Sequence, residues 1–244
     1  MDNEVTNYLL AHKSMKIIQR KDMFNFSLDT VLLANFCTIN QDVNEIVDFG
    51  TNNAAIPLLL SRRTEKKIIG IELQKEAVNV ANKNIHLNHL EDQIEIIHQD
   101  IKEYVIDAKK TRLIVCNPPF FRVGEKSNLN DSVYVQLAKH EIAINLEEII
   151  QSAARILDYK GKLAMVHRPE RMIEIINYMQ KYGIEPKRIQ FVYPKVGKES
   201  QIFLIEGIFK GKKGVKILPP LYAHEDNGDY TEEVRKMFGD VDNE

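Results

Sequence analysis

From about residue 45 onward, short apolar runs alternate with stretches whose apolar residues recur every three to four positions, a pattern of strands followed by amphipathic helices. Glu45-Ile-Val-Asp-Phe49 is an apolar run that ends in Gly50 and a polar turn, and a helical pattern continues from Ala54 to Arg63. Lys67-Ile-Ile-Gly-Ile-Glu72 reads as the next strand. In the helix that follows, from Gln74 to Leu87, Ala77, Val78, Ala81 and Ile85 share one face. Strands are predicted at 93–97 and 112–116, with a short helix between them near 102–108. A polar stretch from Pro118 to about Val133 interrupts the rhythm, and helical patterns at 134–144 and 146–158 restore it. A strand at 162–167 and an amphipathic helix at 170–182 complete the alternation.

The last two apolar runs, 188–193 and 201–209, leave no room for a helix between them. They are therefore joined as a hairpin, and the pattern predicts a doubly wound α/β fold whose mostly parallel sheet ends in one antiparallel strand. Three parts are expected: an extension over 1–40 that packs on the main body, a body over 41–220, and an acidic tail over 221–244.

Composition narrows the class without defining chemistry. With 244 residues, 44% hydrophobic and 28% charged, the chain fits an ordinary globular domain. No apolar run approaches the roughly 18 to 20 residues that cross a bilayer, and the amino-terminus lacks the apolar stretch of a signal peptide, so no membrane role and a cytoplasmic location are expected. Cys37 and Cys116 lie in apolar surroundings, which points away from disulfides. No histidine has cysteine partners at zinc spacing, and His86 and His89 read as surface polar residues, so no metal is expected. The net charge of −2 hides an asymmetry: residues 221–244 carry −6, while 181–216 carry +6. A basic face of that kind suits a polyanion, although charged solvated surfaces are common.

The turn after the first strand and the acid after the second are where an open α/β sheet holds a ligand. Here they read Asp48-Phe-Gly50-Thr-Asn52-Asn-Ala54 and Glu72. Gly50 lets backbone approach a ligand closely, the helix near Ala54 offers free N–H groups to an anion, and Glu72 lies 22 residues beyond Gly50, near the spacing for accepting ribose hydroxyls. Asp100 ends the third unit and either contacts an adenine amine or caps the turn that follows it. Only one of the three glycines of a nicotinamide fingerprint is present, which argues against that cofactor.

The most specific feature is Asn117-Pro118-Pro119-Phe120, directly after the fourth strand. An exocyclic amine is a poor nucleophile because its lone pair is delocalised into the ring. A side-chain amide oxygen from Asn117 and the carbonyl of Pro118 can accept its two hydrogens, and Phe120 offers a face on which a flipped base stacks. Prolines fix the backbone around these acceptors.

These residues carry a resemblance. Asn117-Pro-Pro-Phe120 is similar to the catalytic motif of amino-group methyltransferases. Phe24-Asn-Phe-Ser-Leu-Asp29-Thr-Val-Leu-Leu-Ala34 resembles the segment preceding the cofactor domain in bacterial methyltransferases that act on the adenosine beside the anticodon of a valine tRNA. Further similarity lies in Lys139-His-Glu-Ile142 and His167-Arg-Pro-Glu-Arg171. The resemblance implies a Rossmann-like seven-stranded sheet with helices on both faces. It also implies S-adenosyl-L-methionine held by Asp48, Gly50, Asn52, Glu72 and Asp100, and a tRNA substrate. That family's loop has glycines where this chain has Asn52 and Ala54. Arg122, Lys126, Arg168, Arg171, Lys195 and Lys198 are candidates for phosphate contact, with Lys187 and Arg188 beside them. Asp29 either caps a helix or faces the cofactor. Two alternatives stay open: a protein glutamine N5-methyltransferase, and a methyltransferase-like RNA-binding protein whose cofactor affinity is lost through Asn52 and Ala54.

Overall fold

A computed structural model describes residues 3–9, 12–23, 25–105, 111–118 and 145–239. Two of the sequence expectations, the helix at 134–144 and most of the polar stretch after Pro118, lie outside these residues. The body opens with α1 (Leu28–Phe36), and four strand and helix units follow. They are β3 (Glu45–Phe49) and α2 (Ala55–Ser61), β4 (Lys67–Glu72) and α3 (Lys75–Leu87), β5 (Ile94–His98), and β6 (Thr111–Cys116) followed at a distance by α4 (Leu146–Ile156). Then come β7 (Leu157–His167), α5 (Met172–Lys181), β8 (Ile184–Tyr193) and β9 (Ile202–Phe209). Between β5 and β6 the chain makes a turn over 101–103, where the sequence suggested the start of a helix.

The sheet runs β8-β9-β7-β6-β3-β4-β5, with β9 antiparallel to both neighbours and every other pair parallel. The predicted hairpin is therefore present, and its second strand is inserted between β7 and β8 instead of lying at the edge. Two-residue strands β10 (Lys216–Ile217) and β11 (Leu221–Tyr222) extend the far side of β8.

Alternation along the strands builds two cores. Ile46, Ile68, Leu113, Val115, Ala164, Val166 and Leu204 point to the face covered by α1 and α2. Val47, Ile69, Ile114, Leu163, Met165 and Phe203 point to the face covered by α4 and α5. Each face takes every second residue because strand side chains alternate. α4 shows why a helix forms where it does: Asn145 accepts the Glu148 amide at 2.9 Å, and Leu146, Ile149, Ile150, Ala153 and Ile156 line its buried side.

Two terminal features are new relative to the sequence reading. Residues 4–20 form an antiparallel hairpin of β1 (Glu4–Leu9) and β2 (His12–Arg20), which lies on α3. Its attachment is made by two asparagine amides one helical turn apart. Asn84 accepts Ile18 N–H at 2.6 Å and donates to Ile18 C=O at 3.0 Å, and Asn88 does the same with Lys16 at 2.9 and 2.7 Å. The helix thus supplies β2 with the bonds of a neighbouring strand. At the other end, the acidic stretch folds back as far as 239: Leu221, Ala223 and Val234 are buried in the core beside α1, and α6 (Glu232–Met237) is capped by Thr231. No helix among the described residues is long and apolar enough to cross a membrane.

Candidate active site

The carboxyl ends of β3, β4, β5, β6 and β7 stand side by side along one edge of the sheet, and the residues singled out from sequence at positions 48–54, 72, 100 and 117 all fall there. Asp48 is fully buried on β3, and neither of its carboxylate oxygens has a hydrogen-bond partner of good geometry. Burial pushes its carboxyl up to about 7; the neighbouring Thr51 hydroxyl pulls it back, and the Glu72 charge adds to the rise. Gly70 faces Asp48 in register on β4, and a Cβ there would stand 2.7 Å from the Thr51 side chain, so this glycine makes room for the turn.

The turn itself holds left-handed backbone at three alternate positions: Gly50 (φ 71°), Asn52 (φ 50°) and Ala54 (φ 65°). Glycine takes such angles freely and asparagine with some tolerance, whereas alanine is strained by about 1–2 kcal/mol. Hydrogen bonds to β4 hold the shape. Gly50 and Thr51 N–H both donate to Ile71 C=O at 2.9 and 3.0 Å, and Asn52 N–H donates to Glu72 Oε2 at 2.9 Å. Asn84 also donates to Asn53 C=O at 2.9 Å, which ties the turn to the amino-terminal hairpin through one buried amide.

Glu72 is buried, with its other oxygen accepting Gln74 N–H at 2.9 Å; burial raises its pKa and the amide bonds oppose the rise. It is not a solvated strand end. Each of its oxygens keeps a lone pair for a further donor. Asp100 takes the capping alternative: its Oδ1 accepts Lys102 N–H at 2.8 Å, and its carbonyl accepts from Glu103 and Tyr104. An open space over Gly50, a buried carboxylate without a good partner and a paired acid at the next strand end suit a ligand carrying an ammonium group and ribose hydroxyls.

Asn117 follows β6, half-buried, and its Nδ2 donates to Thr30 Oγ1 at 3.4 Å. Thr30 lies in the first turn of α1, behind Ser27, whose hydroxyl donates to Asp29 at 3.1 Å. Burial raises the Asp29 carboxyl, with Ser27 and the Arg168 charge opposing. α1 therefore brings a polar first turn to the β6 end. Pro118 is buried; Pro119, Phe120, Arg122 and Lys126 lie outside the described residues.

The expected basic face divides between two edges. Lys195 and Lys198, in the β8–β9 connection, share the edge with Asn117, as does Arg168, whose guanidinium donates to Gln201 C=O at 2.9 Å. Lys187, Lys210, Lys212, Lys213 and Lys216 gather at the opposite edge, where Lys187 donates to the Lys212 and Gly214 carbonyls. Arg188 is structural, paired at 3.1 Å with buried Glu206 and stacked on Phe36. Arg171 is held by both oxygens of Glu174. Periodicity gave no signal for Thr30 or Gly70; Asn84 had one, a polar residue on the apolar face shared by Ala77 and Ala81.

Replacing Asp48 by asparagine gives a pH-dependent stability difference. A carboxyl raised in the folded state costs stability as pH climbs from its unfolded value toward about 7. The Asp48→Asn chain therefore gains on the parent across that interval and the gain levels off above it. Unfolding midpoints that stay a constant distance apart from pH 4 to 8 would contradict a buried, proton-sensitive Asp48.

This sheet order, with a ligand-ready turn at its central strand, defines the Rossmann-like class of nucleotide-ligand folds. Comparison with known proteins gives the family. The model of the methyltransferase small domain matches residues 25–182, and the chain belongs to that family. Among curated relatives, the tRNA1(Val) (adenine(37)-N6)-methyltransferase of Tolumonas auensis is 30% identical over 79% of this chain and 80% of its own. The protein of the same name from Christiangramia forsetii is 24% identical over 97% of this chain and 98% of its own. Of solved structures, a protein from Agrobacterium tumefaciens described as a predicted O-methyltransferase superposes with a TM-score of 0.69 at 19% identity, covering 86% of this chain and 95% of that one. Geranyl diphosphate C-methyltransferase from Streptomyces coelicolor, in complex with S-adenosyl-L-homocysteine, gives 0.56 at 11% identity, covering 74% and 78%. Both structural matches carry the fold alone.

Proposed function

We propose that this protein transfers a methyl group from S-adenosylmethionine to the exocyclic N6 amine of an adenosine in tRNA, beside the anticodon, and that it works in the cytoplasm where that RNA is found. The observation that carries the reading is the pairing of Asn117 and Pro118 with the Asp48–Glu72 turn at one sheet edge, in a chain whose relatives bear that activity in their names.

S-adenosylmethionine supplies an electrophilic methyl on a sulfonium. Asp48 and the 50–54 turn would receive its amino-acid end, Glu72 would accept from the ribose, and the turn that Asp100 caps would border the adenine. Asn117 Oδ1 and the Pro118 carbonyl accept the two N6 hydrogens, which turns the nitrogen lone pair toward the methyl carbon. Transfer of that methyl would leave the sulfur as a thioether, and the extra proton on nitrogen would pass to solvent. Positioning supplies much of the rate, and no strong base is required. The sequence assigns to Phe120, outside the described residues, the role of stacking on the flipped base.

The test is nucleoside analysis of tRNA incubated with the purified protein and methyl-labelled cofactor. N6-methyladenosine at the anticodon-adjacent site supports the reading; methylated glutamine in protein, or no label at all, overturns it. RNA contact gives a second prediction, because each lost phosphate contact removes counterion release. Replacing Lys195 and Lys198 by glutamine weakens tRNA binding and reduces its salt slope by about 1 to 2. The same change at Lys212 and Lys213, on the opposite edge, leaves the slope unaltered. Equal slopes for both pairs would move the RNA footprint away from the β8–β9 connection.

A further inference from the structure

We infer that Thr30 is a positioning residue for methyl transfer: its hydroxyl anchors the Asn117 amide so that Oδ1 faces the target amine. The inference rests on the role proposed for Asn117. It adds a residue on α1, an element outside the sheet edge that carries the rest of the site.

A side-chain amide is planar, with an acceptor at one end and two donors at the other. Rotated by half a turn about its last bond, Asn117 would present N–H groups to an amine that is itself a donor, and the two would repel. Something must choose between the two orientations. Pro118 restricts the Asn117 backbone to extended angles and leaves that side-chain torsion free. Thr30 Oγ1 lies 3.4 Å from Asn117 Nδ2, and among the hydrogen bonds of the described residues this is the contact that engages the amide. A hydroxyl can donate as well as accept, and in the bond present here Oγ1 accepts from Nδ2. Thr30 is 4% exposed, so water competes little for it, and its position is fixed by the α1 first turn, where Ser27 N–H donates to the same oxygen at 3.4 Å. The body of the helix is itself immobilised by Val31, Leu32 and Leu33, all in the core. With Nδ2 turned toward the helix, Oδ1 is directed away from it and left to accept from the target amine.

The residue acts on the rate through Asn117 and on nothing else in the site. No hydrogen bond joins it to the 50–54 turn among the described residues, so cofactor affinity should be indifferent to it.

The experiment is a double-mutant cycle read by single-turnover methylation of unmodified tRNA. Thr30→Val keeps the branched shape and removes the hydroxyl, and Thr30→Ala removes it with a different loss of packing. Both should slow methyl transfer by about five- to tenfold, the size expected of one neutral hydrogen bond. Thr30→Ser should restore the rate to within about twofold of the parent, and all three should bind S-adenosylhomocysteine within about twofold of the parent, which also reports that they fold. In an Asn117→Ala background the Thr30→Val effect should vanish, because the amide it orients is gone. A loss that persists undiminished in that background assigns Thr30 to packing or helix capping and overturns the inference, as does a parental rate for Thr30→Val and Thr30→Ala. If Asn117→Ala alone methylates at the parental rate, the fault lies in the catalytic reading of Asn117.

Discussion

Asn117→Ala lowers the single-turnover rate of adenosine methylation by about a hundred- to a thousandfold while the protein binds S-adenosylhomocysteine as the parent does. The size follows from what is removed. The amide oxygen accepts a hydrogen from a nitrogen that gains positive charge as the methyl arrives, so its bond strengthens along the reaction coordinate. Interactions that strengthen in this way are typically worth about 2.7–4 kcal/mol. On the proposed reading the cofactor is insulated from the change, because its binding is assigned to residues at the ends of β3, β4 and β5 and to the turn after β3, whereas Asn117 follows β6. Substrate binding through phosphates is also untouched, so the loss falls on the rate more than on the tRNA concentration needed. A parental rate in a folded, cofactor-binding Asn117→Ala protein would reduce Asn-Pro-Pro to an ordinary turn.

Asn84→Ala should cost about 3–5 kcal/mol of folding stability. One buried side chain closes three hydrogen bonds to backbone, with Ile18 N–H, Ile18 C=O and Asn53 C=O, and its removal leaves these groups beside a helix that offers no replacement. A buried polar group left unsatisfied costs about 1–3 kcal/mol. Aspartate is no rescue, since it keeps the acceptor for Ile18 N–H and points an oxygen at two carbonyls. Asn88, half-buried and nearer the hairpin end, matters less, at about 1 kcal/mol for Asn88→Ala. Urea unfolding of the three variants checks the order. A loss below about 1 kcal/mol for Asn84→Ala would mean that the hairpin is held by its apolar contacts, among them Ile17, and not by the amide ladder.

The order of strands and helices from β3 to β9 was legible because each strand is a compact apolar run and each helix has a clear apolar face. The insertion of β9 between β7 and β8 was not, since periodicity names elements and is silent on which neighbours they choose. The amino-terminal hairpin escaped for a related reason. Its second strand borrows hydrogen bonds from asparagine side chains, and a strand satisfied in that way needs no long alternating pattern. Of the candidate site residues, Glu72, Asp100 and Asn117 could be placed from sequence because each closes an apolar run, and the fold puts them at strand ends. The division of the basic residues was not, because lysines close in sequence on a hairpin lie at opposite ends of its strands. Lys195 and Lys212 are separated by the whole length of β9.

The turn over 50–54 keeps three left-handed residues while spelling only one of them as glycine. Its angles are maintained by the tethers to β4, of which the Glu72 carboxylate is one. This makes the left-handed angle at residue 52 depend on residue 72, whose carboxylate accepts the Asn52 amide. In evolutionary terms that bond couples the two positions, so that an exchange of the acid at 72 alters which residues position 52 tolerates.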